Sequence, residues 1–139
     1  MATNTGYEWP AAAIFATKST GGDYDGATVA DGAELATTLI DLTKKASIEI
    51  TVELTMASGT VNAPLTIAFL REIAGAAQPS KDAFAITKTV AGDGVYKWAF
   101  VLQASDWSKV APAVVNETNV ATTGSVDIKY KTSDVPVAS

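Results

Sequence analysis

Two residue types are missing from the 139-residue sequence, which contains neither cysteine nor histidine. Without cysteine the chain can form no disulfide, no thiolate nucleophile and no cysteine-ligated metal centre. Without histidine it has no imidazole general base, no serine–histidine pair and no imidazole metal ligand. We therefore expect a protein that is not an enzyme, and we assign it no catalytic residue, no metal site and no cofactor.

Charge is also scarce, with 18% charged residues against about 25% in an average domain. The formal net charge of −5 arises within residues 1–43, which contain six acidic residues and a single basic residue, Lys18. This acidic third is either a solvated segment or one that lies on a positively charged partner surface. No cluster of lysine and arginine supplies the basic surface that phosphate binding needs, and no apolar run approaches the roughly 18 residues of a membrane span. We predict neither nucleic-acid nor membrane partners.

Carboxylate chemistry remains possible in principle, but neither available arrangement fits it. Glu49 and Glu53 share one strand face about 13 Å apart at about 3.3 Å per residue, beyond the usual separation in glycosidases. Residues 23–34 have the length of a calcium-binding loop. They place Ala27 and Thr28 where such a loop needs an oxygen ligand and a glycine. A solvent-facing strip and an aspartate–glycine turn are the simpler interpretations.

The positive signal in the sequence is alternation of apolar and polar residues with a period of two, which is typical of half-buried strands. In the clearest case Ile48, Ile50 and Val52 share one face, and Glu49 and Thr51 the other. Strong alternation occurs in residues 47–56, 65–73, 84–90, 95–102 and 125–131. In residues 95–102 both faces are apolar, since Val95, Ala99 and Val101 oppose Tyr96, Trp98, Phe100 and Leu102.

Weaker strand candidates and turn signals complete the pattern. The weaker strands are residues 11–17, 35–42 and 110–115. Because Pro112 cannot donate to a sheet ladder, the last of these is expected at an edge or with a bulge. Residues 91–94 join two strong strands and predict a hairpin loop, and residues 104–109 predict one helical turn at a corner.

About eight short strands separated by turns predict an all-β fold, an antiparallel two-sheet β-sandwich that is jelly-roll-like. The first 30 residues are rich in turn signals and lack strong alternation. We therefore expect an extended N-terminal arm over residues 1–30 and a single β-sandwich domain over residues 31–139.

The aromatic residues suggest where a partner could bind. Trp98 alternates in phase with Tyr96 and Phe100, which favours core packing. Trp107 stands at a predicted corner and is open to either interpretation. Aromatic and apolar side chains in the arm need a place to bury, in their own sandwich or on a neighbouring chain. The candidate partner-binding residues are Tyr7, Trp9, Ile14, Phe15 and Trp107.

From about residue 36 to residue 130 the chain resembles the small β-sandwich virion proteins of tailed bacteriophages. The resemblance lies in a running order of segments: LIDLT at 39–43, IEITVEL at 48–54, LTIAFLR at 65–71, YKWAFVL at 96–102, ASDW at 104–107, VVN at 114–116 and SVDIKY at 125–130. It covers about two-thirds of the chain and leaves out the N-terminal third.

The resemblance implies a capsid decoration or cement protein that stabilises the shell by binding across capsid-protein junctions. Its partners would be the major capsid protein or other virion proteins. It also implies a homo-oligomer, with a trimer favoured, which is soluble in the host cytoplasm before assembly and then lies on the capsid surface of the virion. The arm is the segment that we expect to clasp a neighbour.

Two other roles remain open from the sequence. The same rigid sandwich would serve as a neck, tail or fibre fitting of a virion. A carbohydrate- or receptor-binding module is the alternative from another class, and it requires an exposed aromatic platform with Trp107 as the best candidate.

Overall fold

The structure is a computed structural model that describes residues 28–134 and residues 13–14, with the backbone alone at positions 13, 14 and 134. The described strands are β1 (Ala13–Ile14), β2 (Glu34–Ala36), β3 (Ile40–Asp41), β4 (Lys45–Met56), β5 (Leu65–Ile73), β6 (Ala76–Ala77), β7 (Phe84–Lys88), β8 (Val95–Gln103), β9 (Lys109–Val115) and β10 (Thr122–Asp134). Two 3-10 helices, Ser80–Asp82 and Ala104–Asp106, complete the secondary structure of these residues. Within them, no helix has the length and apolar character needed to cross a membrane.

The strands form two antiparallel sheets. The first sheet has the order β1-β10-β4-β8; in the second, β9 and β5 are central, β2 and β3 pair with β9, and β6 and β7 pair with β5. Along the chain, β1, β4, β8 and β10 belong to the first sheet and the strands between them to the second. This alternation between sheets is that of a jelly roll. It confirms the predicted all-β, antiparallel two-sheet sandwich.

The core lies between the two sheets and follows from the alternation in β4. Ile48, Ile50 and Val52 are fully buried on its inner face. They meet the inner faces of the other long strands, and Phe69 of β5 is the largest side chain that is fully buried. The other fully buried large side chains are Met56, Leu65, Ile67, Ile128, Val29, Val110 and Val114. Burial of a side chain of this size is worth about 1.5–3 kcal/mol, so the sandwich has a strong hydrophobic core.

Strand β9 is not an edge strand, because it lies between β5 and the pair β2 and β3. Pro112 is tolerated there because of the direction it faces. Its carbonyl oxygen accepts a hydrogen bond from the amide of Thr37 at 3.0 Å, so the amide that proline lacks would also point toward Thr37 and not toward β5. The ladder is interrupted on that side, between Ala36 and Ile40. The bulge therefore lies in residues 37–39, between β2 and β3, and not in β9.

The hairpin predicted at residues 91–94 is wrong, because this segment connects β7 of the second sheet with β8 of the first. The crossing is fixed by contacts with the turn after β4. The amide of Asp93 donates to the carbonyl of Ala57 at 3.1 Å. A Cβ at Gly92 would lie 2.2 Å from the carbonyl oxygen of Gly59, so the two segments can cross only where no side chain is present.

The loop after β9 is tied to the rest of the sandwich by a buried amide side chain. Nδ2 of Asn116 donates to the carbonyl oxygens of Val29 at 3.0 Å and of Val120 at 2.9 Å. Its Oδ1 accepts from the amide of Thr118 at 3.1 Å and from the Thr118 hydroxyl at 2.7 Å. Both ends of the amide are therefore satisfied in a fully buried site.

Two parts of the predicted arm, residues 1–30, contact the sandwich. The backbone of Ala13 and Ile14 pairs with Tyr130 and Lys129 of β10, at the edge of the first sheet. Val29 is buried in the core. The rest of the arm, residues 1–12 and 15–27, lies outside the described residues.

Candidate functional site

An open groove of about 510 Å³ lies where β7 and β8 end the two sheets. We call it the edge groove. Its lining residues are Arg71, Phe84, Val101, Leu102, Gln103, Asp106 and Trp107. Phe84, a large hydrophobic side chain that is 55% exposed, lines it together with Leu102 and Trp107. Val101 also belongs to the lining, but the alternation along β8 places its side chain on the opposite face from Phe100 and Leu102. An exposed aromatic ring in an open groove is typical of a surface that binds a partner.

Phe84 is held by the core although more than half of its surface is exposed. It is the first residue of β7 and lies opposite Phe69 of β5 in the sheet register. The two rings stack with centroids 5.9 Å apart, and Phe100 meets Phe69 edge-on at 5.3 Å. Because its inner face is packed, the ring of Phe84 has few conformations to lose when its outer face is covered.

The other wall of the groove is formed by Trp107 and Arg71. Trp107 is only 5% exposed and meets Phe69 edge-on at 6.4 Å. The guanidinium carbon of Arg71 lies 3.9 Å from the centroid of the Trp107 ring, a cation–π contact. Arg71 also donates from Nη1 to the backbone carbonyl of Asp106. The arginine thus covers the indole and brings one positive charge to the rim of the apolar groove.

The composition of the edge groove suits apolar contact and not covalent chemistry. Asp106 and Arg71 are its charged members, and both are exposed to solvent. Elsewhere in the described residues, no group of three or more acidic side chains lies close enough to hold a metal ion. What these side chains can do is bury apolar area against a partner, with a cation at the rim to orient it.

The outer face of the first sheet carries an ion-pair ladder. Glu53 of β4 lies between Lys97 of β8 and Lys129 of β10, with N–O distances of 3.1 Å to each. Hydrogen bonds from the ammonium groups of Lys129 and then Lys97 lower the pKa of the Glu53 carboxyl. Glu49 of β4 lies 3.5 Å from the ammonium group of Lys131 in β10. Both carboxylates that the sequence analysis set aside for catalysis are therefore paired on a sheet face, and Glu53 links three neighbouring strands.

This pairing predicts a pH-dependent contribution to stability. A carboxyl whose pKa is lowered in the folded state stabilises the protein above its ordinary pKa of about 4.3, and that stabilisation is lost as the pH falls. We expect Glu53→Gln to lower the free energy of unfolding by about 0.5–1 kcal/mol at pH 7 and by nearly nothing at about pH 2. Urea unfolding at the two pH values measures this difference. Glu117→Gln, on an exposed loop, is the matched control, and equal losses at both pH values would contradict the assignment.

The predicted partner-binding residues fall into three groups. Tyr7, Trp9 and Phe15 lie outside the described residues. Ile14 is placed by its backbone alone, beside Lys129 of β10. Trp107 is buried under Arg71, so its ring faces do not form the exposed platform that a glycan-binding module requires.

Phe84 and Val101 were not singled out from the sequence. Phe84 has the alternation of an ordinary strand residue, and nothing local shows that β7 lies at the side of its sheet. The two apolar faces of β8 were a usable signal, because a strand at the edge of a two-layer sandwich cannot bury both faces in its own molecule.

Comparisons with known proteins assign no family. No protein-family model matches the chain, and no curated protein matches its sequence. Similar solved structures include the CBM22-1 xylan-binding domain of Paenibacillus barcinonensis Xyn10C, with 14% identity, a TM-score of 0.44, and 97% of this chain and 90% of that chain covered. A CBM4 carbohydrate-binding module has 13% identity, a TM-score of 0.42, and 81% and 67% covered. A chain of the Bacillus endospore appendages, which are disulfide-linked pili, has 13% identity, a TM-score of 0.39, and 97% and 96% covered. At scores this low, none of these similarities assigns a ligand or a partner to this chain.

Proposed function

We propose that the protein is a non-enzymatic structural subunit of a bacteriophage virion, a capsid decoration or cement protein that binds across junctions between capsid proteins. The observation that carries the proposal is the exposed ring of Phe84, fixed against the core in an open apolar groove. In this proposal the chain is soluble in the host cytoplasm before assembly and lies on the capsid surface afterwards. Its partner is the major capsid protein or another virion protein.

Adhesion is the whole mechanism. Covering the exposed half of this ring is worth about 1–1.5 kcal/mol, roughly half of the value for a side chain buried in full, and little of it is lost to ordering, because Phe69 already holds the ring. A rigid sandwich with no histidine or cysteine adds chemical inertness to this contact. Repetition of the contact around a shell would supply avidity that one copy does not need.

The two attachment elements of the proposal lie at opposite edges of the first sheet. The edge groove adjoins β8, whereas the N-terminal segment joins the sandwich at β1, on the far side of β10 and β4. Tyr7 and Trp9 belong to the part of the chain that precedes β1. A subunit with contacts at two opposite edges can bridge two neighbouring capsid proteins, which is what cementing a junction requires.

Particle binding with two matched changes tests the proposal. We expect Phe84→Ala to weaken binding to particles that lack this protein by about tenfold, which corresponds to about 1.4 kcal/mol. Removal of residues 1–12, which keeps β1, is expected to abolish binding without a change in the thermal unfolding midpoint. Cosedimentation with purified particles measures both effects.

The control for the groove is Thr87→Ala, an exposed position on the same strand. It should bind particles like the unchanged chain. If Phe84→Ala and the truncated chain both bind with unchanged affinity, then neither element carries adhesion and the decoration proposal fails.

A carbohydrate- or receptor-binding module, or a neck, tail or fibre fitting, remains the second candidate. The observation in favour of a glycan ligand is the aromatic and polar lining of the edge groove, with Phe84 beside Arg71 and Gln103. Trp107 lines the same groove, so a glycan bound there would change tryptophan fluorescence. A saturable change with a glycan panel, together with no particle binding, would favour the module over the decoration subunit.

A further inference from the structure

We propose that the outer edge of β8 is a self-association site, which pairs antiparallel with β8 of a second copy of this chain around a twofold axis. The first sheet would then continue from one molecule into the other. The inference rests on features of β8 itself and can be tested without particles. It assigns the β8 side of the edge groove, which includes Val101, to a second copy, and leaves Phe84 on the β7 side as the contact for a capsid protein.

The outer edge of β8 has a full set of backbone groups to offer. β8 is nine residues long and ends the first sheet, with no described strand beyond it. The amide of Met56 donates to the carbonyl of Gly94 at 2.8 Å, in the same register as the β4–β8 ladder. Hydrogen-bonded pairs alternate along an antiparallel ladder. The backbone groups of Val95, Lys97 and Ala99, with those of Val101, therefore point away from β4.

The side chains of this edge are unusually apolar for a surface strand. Val95 is 77% exposed and Val101 is 59% exposed, and Ala99 between them is also exposed. Natural proteins usually protect a long edge strand with several charges, a proline or a bulge. In β8 the edge-facing residues carry a single charge, Lys97, and that lysine is paired to Glu53 within its own sheet.

The sequence of this strand is complementary to itself. A twofold contact requires that if one residue meets another, the reverse contact also occurs. The segment VYKWAFV at 95–101 reads nearly the same from either end, with Trp98 at its centre. Pairing about Trp98 places Val95 opposite Val101, Tyr96 opposite Phe100, and Lys97 opposite Ala99 of the second copy. Every exposed valine meets a valine, and the inner face pairs aromatic with aromatic, which are favourable cross-strand pairs.

Neighbouring registers lack this fit. A shift that centres the pairing on Lys97 sets the two lysines directly opposite each other, which is destabilising. A shift that centres it on Ala99 places Val101 opposite Lys97 and Val95 opposite Gln103. A shift of the pairing by an odd number of residues places each outward-pointing backbone group opposite a residue whose own groups point to β4. Such a register cannot form the hydrogen bonds between the two strands. The register about Ala99 gains a fifth hydrogen-bonded pair through Gln103 but loses the valine pairs, so the side chains favour the register about Trp98.

The size of the contact sets its expected strength. Four facing residues on each strand supply about eight backbone hydrogen bonds, two for each hydrogen-bonded pair. Seven residues a side is well below the 20–30 or so of a standard interface, so we expect a dimer with a dissociation constant in the micromolar range. A twofold contact cannot by itself produce the trimer that the resemblance favours, since a trimer needs a head-to-tail interface.

The register about Trp98 makes opposite predictions for two substitutions at one position. Ala99→Lys sets lysine opposite Lys97 of the second copy at two places, and we expect sedimentation equilibrium to show dimerisation weakened about threefold to thirtyfold. Ala99→Glu sets opposite charges together at the same two places, and its dimer should be at least as strong as that of the unchanged chain. Within one molecule, lysine at position 99 should be tolerated better than glutamate, because position 99 lies beside Glu49 and Glu53 in β4. A weaker Ala99→Lys dimer is therefore not a folding defect.

A third variant tests the backbone contact. Ala99→Pro removes an amide that points away from β4, so it should abolish dimerisation while the circular dichroism spectrum stays that of the sandwich. A chain that is monomeric up to millimolar concentration, a trimer, or equal weakening by lysine and glutamate would each overturn the pairing. A monomer that still binds particles would overturn the pairing alone, whereas a dimer that binds no particle would overturn the decoration proposal alone.

Discussion

Replacing Asn116 by alanine is expected to lower the free energy of unfolding by about 3 kcal/mol, enough to remove a large part of the stability of an ordinary domain. The substitution leaves the amide of Thr118 without its partner in a fully buried site, and it removes one of the two hydrogen bonds that each of the carbonyls of Val29 and Val120 accepts. Each unsatisfied buried group costs about 1–3 kcal/mol. Chemical denaturation with urea gives the value directly.

The control for this prediction is the next residue along the chain. Glu117 is exposed, and Glu117→Ala should change the free energy of unfolding by less than about 0.5 kcal/mol. A loss below about 1 kcal/mol for Asn116→Ala would show that this amide does not hold the loop to the segment around Val29.

A loss of about 3–5 kcal/mol is expected for Phe69→Ala, the second large effect. The Phe69 ring is fully buried and lies among Phe84, Phe100 and Trp107, with centroids between 5.3 and 6.4 Å away. Its removal leaves a cavity that surrounding side chains on two different sheets cannot close together. Thermal and urea unfolding both report the loss.

The matched control is the ring that stacks on Phe69. Phe84 is 55% exposed, so Phe84→Ala should cost about 1 kcal/mol or less in stability while it weakens particle binding. If Phe84→Ala destabilises the chain as much as Phe69→Ala does, the outer ring is a core residue and the edge groove loses its anchor.

Local pattern was enough to predict the sandwich. The alternation in β4 is strong because one face is sealed in the core and the other carries Glu49, Thr51 and Glu53. A one-residue shift of this strand would expose every isoleucine, so the sequence determines its face without help from the rest of the chain. Strand β10 follows the same logic, since Val126 and Ile128 are buried and alternate with Asp127 and Lys129.

The connections between strands could not be predicted in the same way. Residues 91–94 carry the turn chemistry of a hairpin, and the same residues serve equally well to cross from one sheet to the other. What decides between the two is a distant contact, the approach of Gly92 to the Gly59 backbone. The position of Pro112 depends likewise on the interruption in the strand that faces it.

The candidate site was only partly visible in the sequence for a related reason. Trp107 is an aromatic residue next to Asp106, and its burial depends on Arg71 and Phe69, which lie more than 30 positions earlier in the chain. The exposure of Phe84 depends on which strand ends its sheet. By contrast, the sequence alone shows that both faces of β8 are apolar. This strand forms the edge that we propose for self-association.

The central claim, that this chain decorates a capsid, is tested most directly by its copy number in purified virions. Quantitative mass spectrometry would compare the amount of this protein with that of the most abundant shell protein. Our account predicts a ratio near one or near a simple fraction of one. A handful of copies per particle would place the chain in a neck, tail or fibre, and its complete absence from virions would contradict the account.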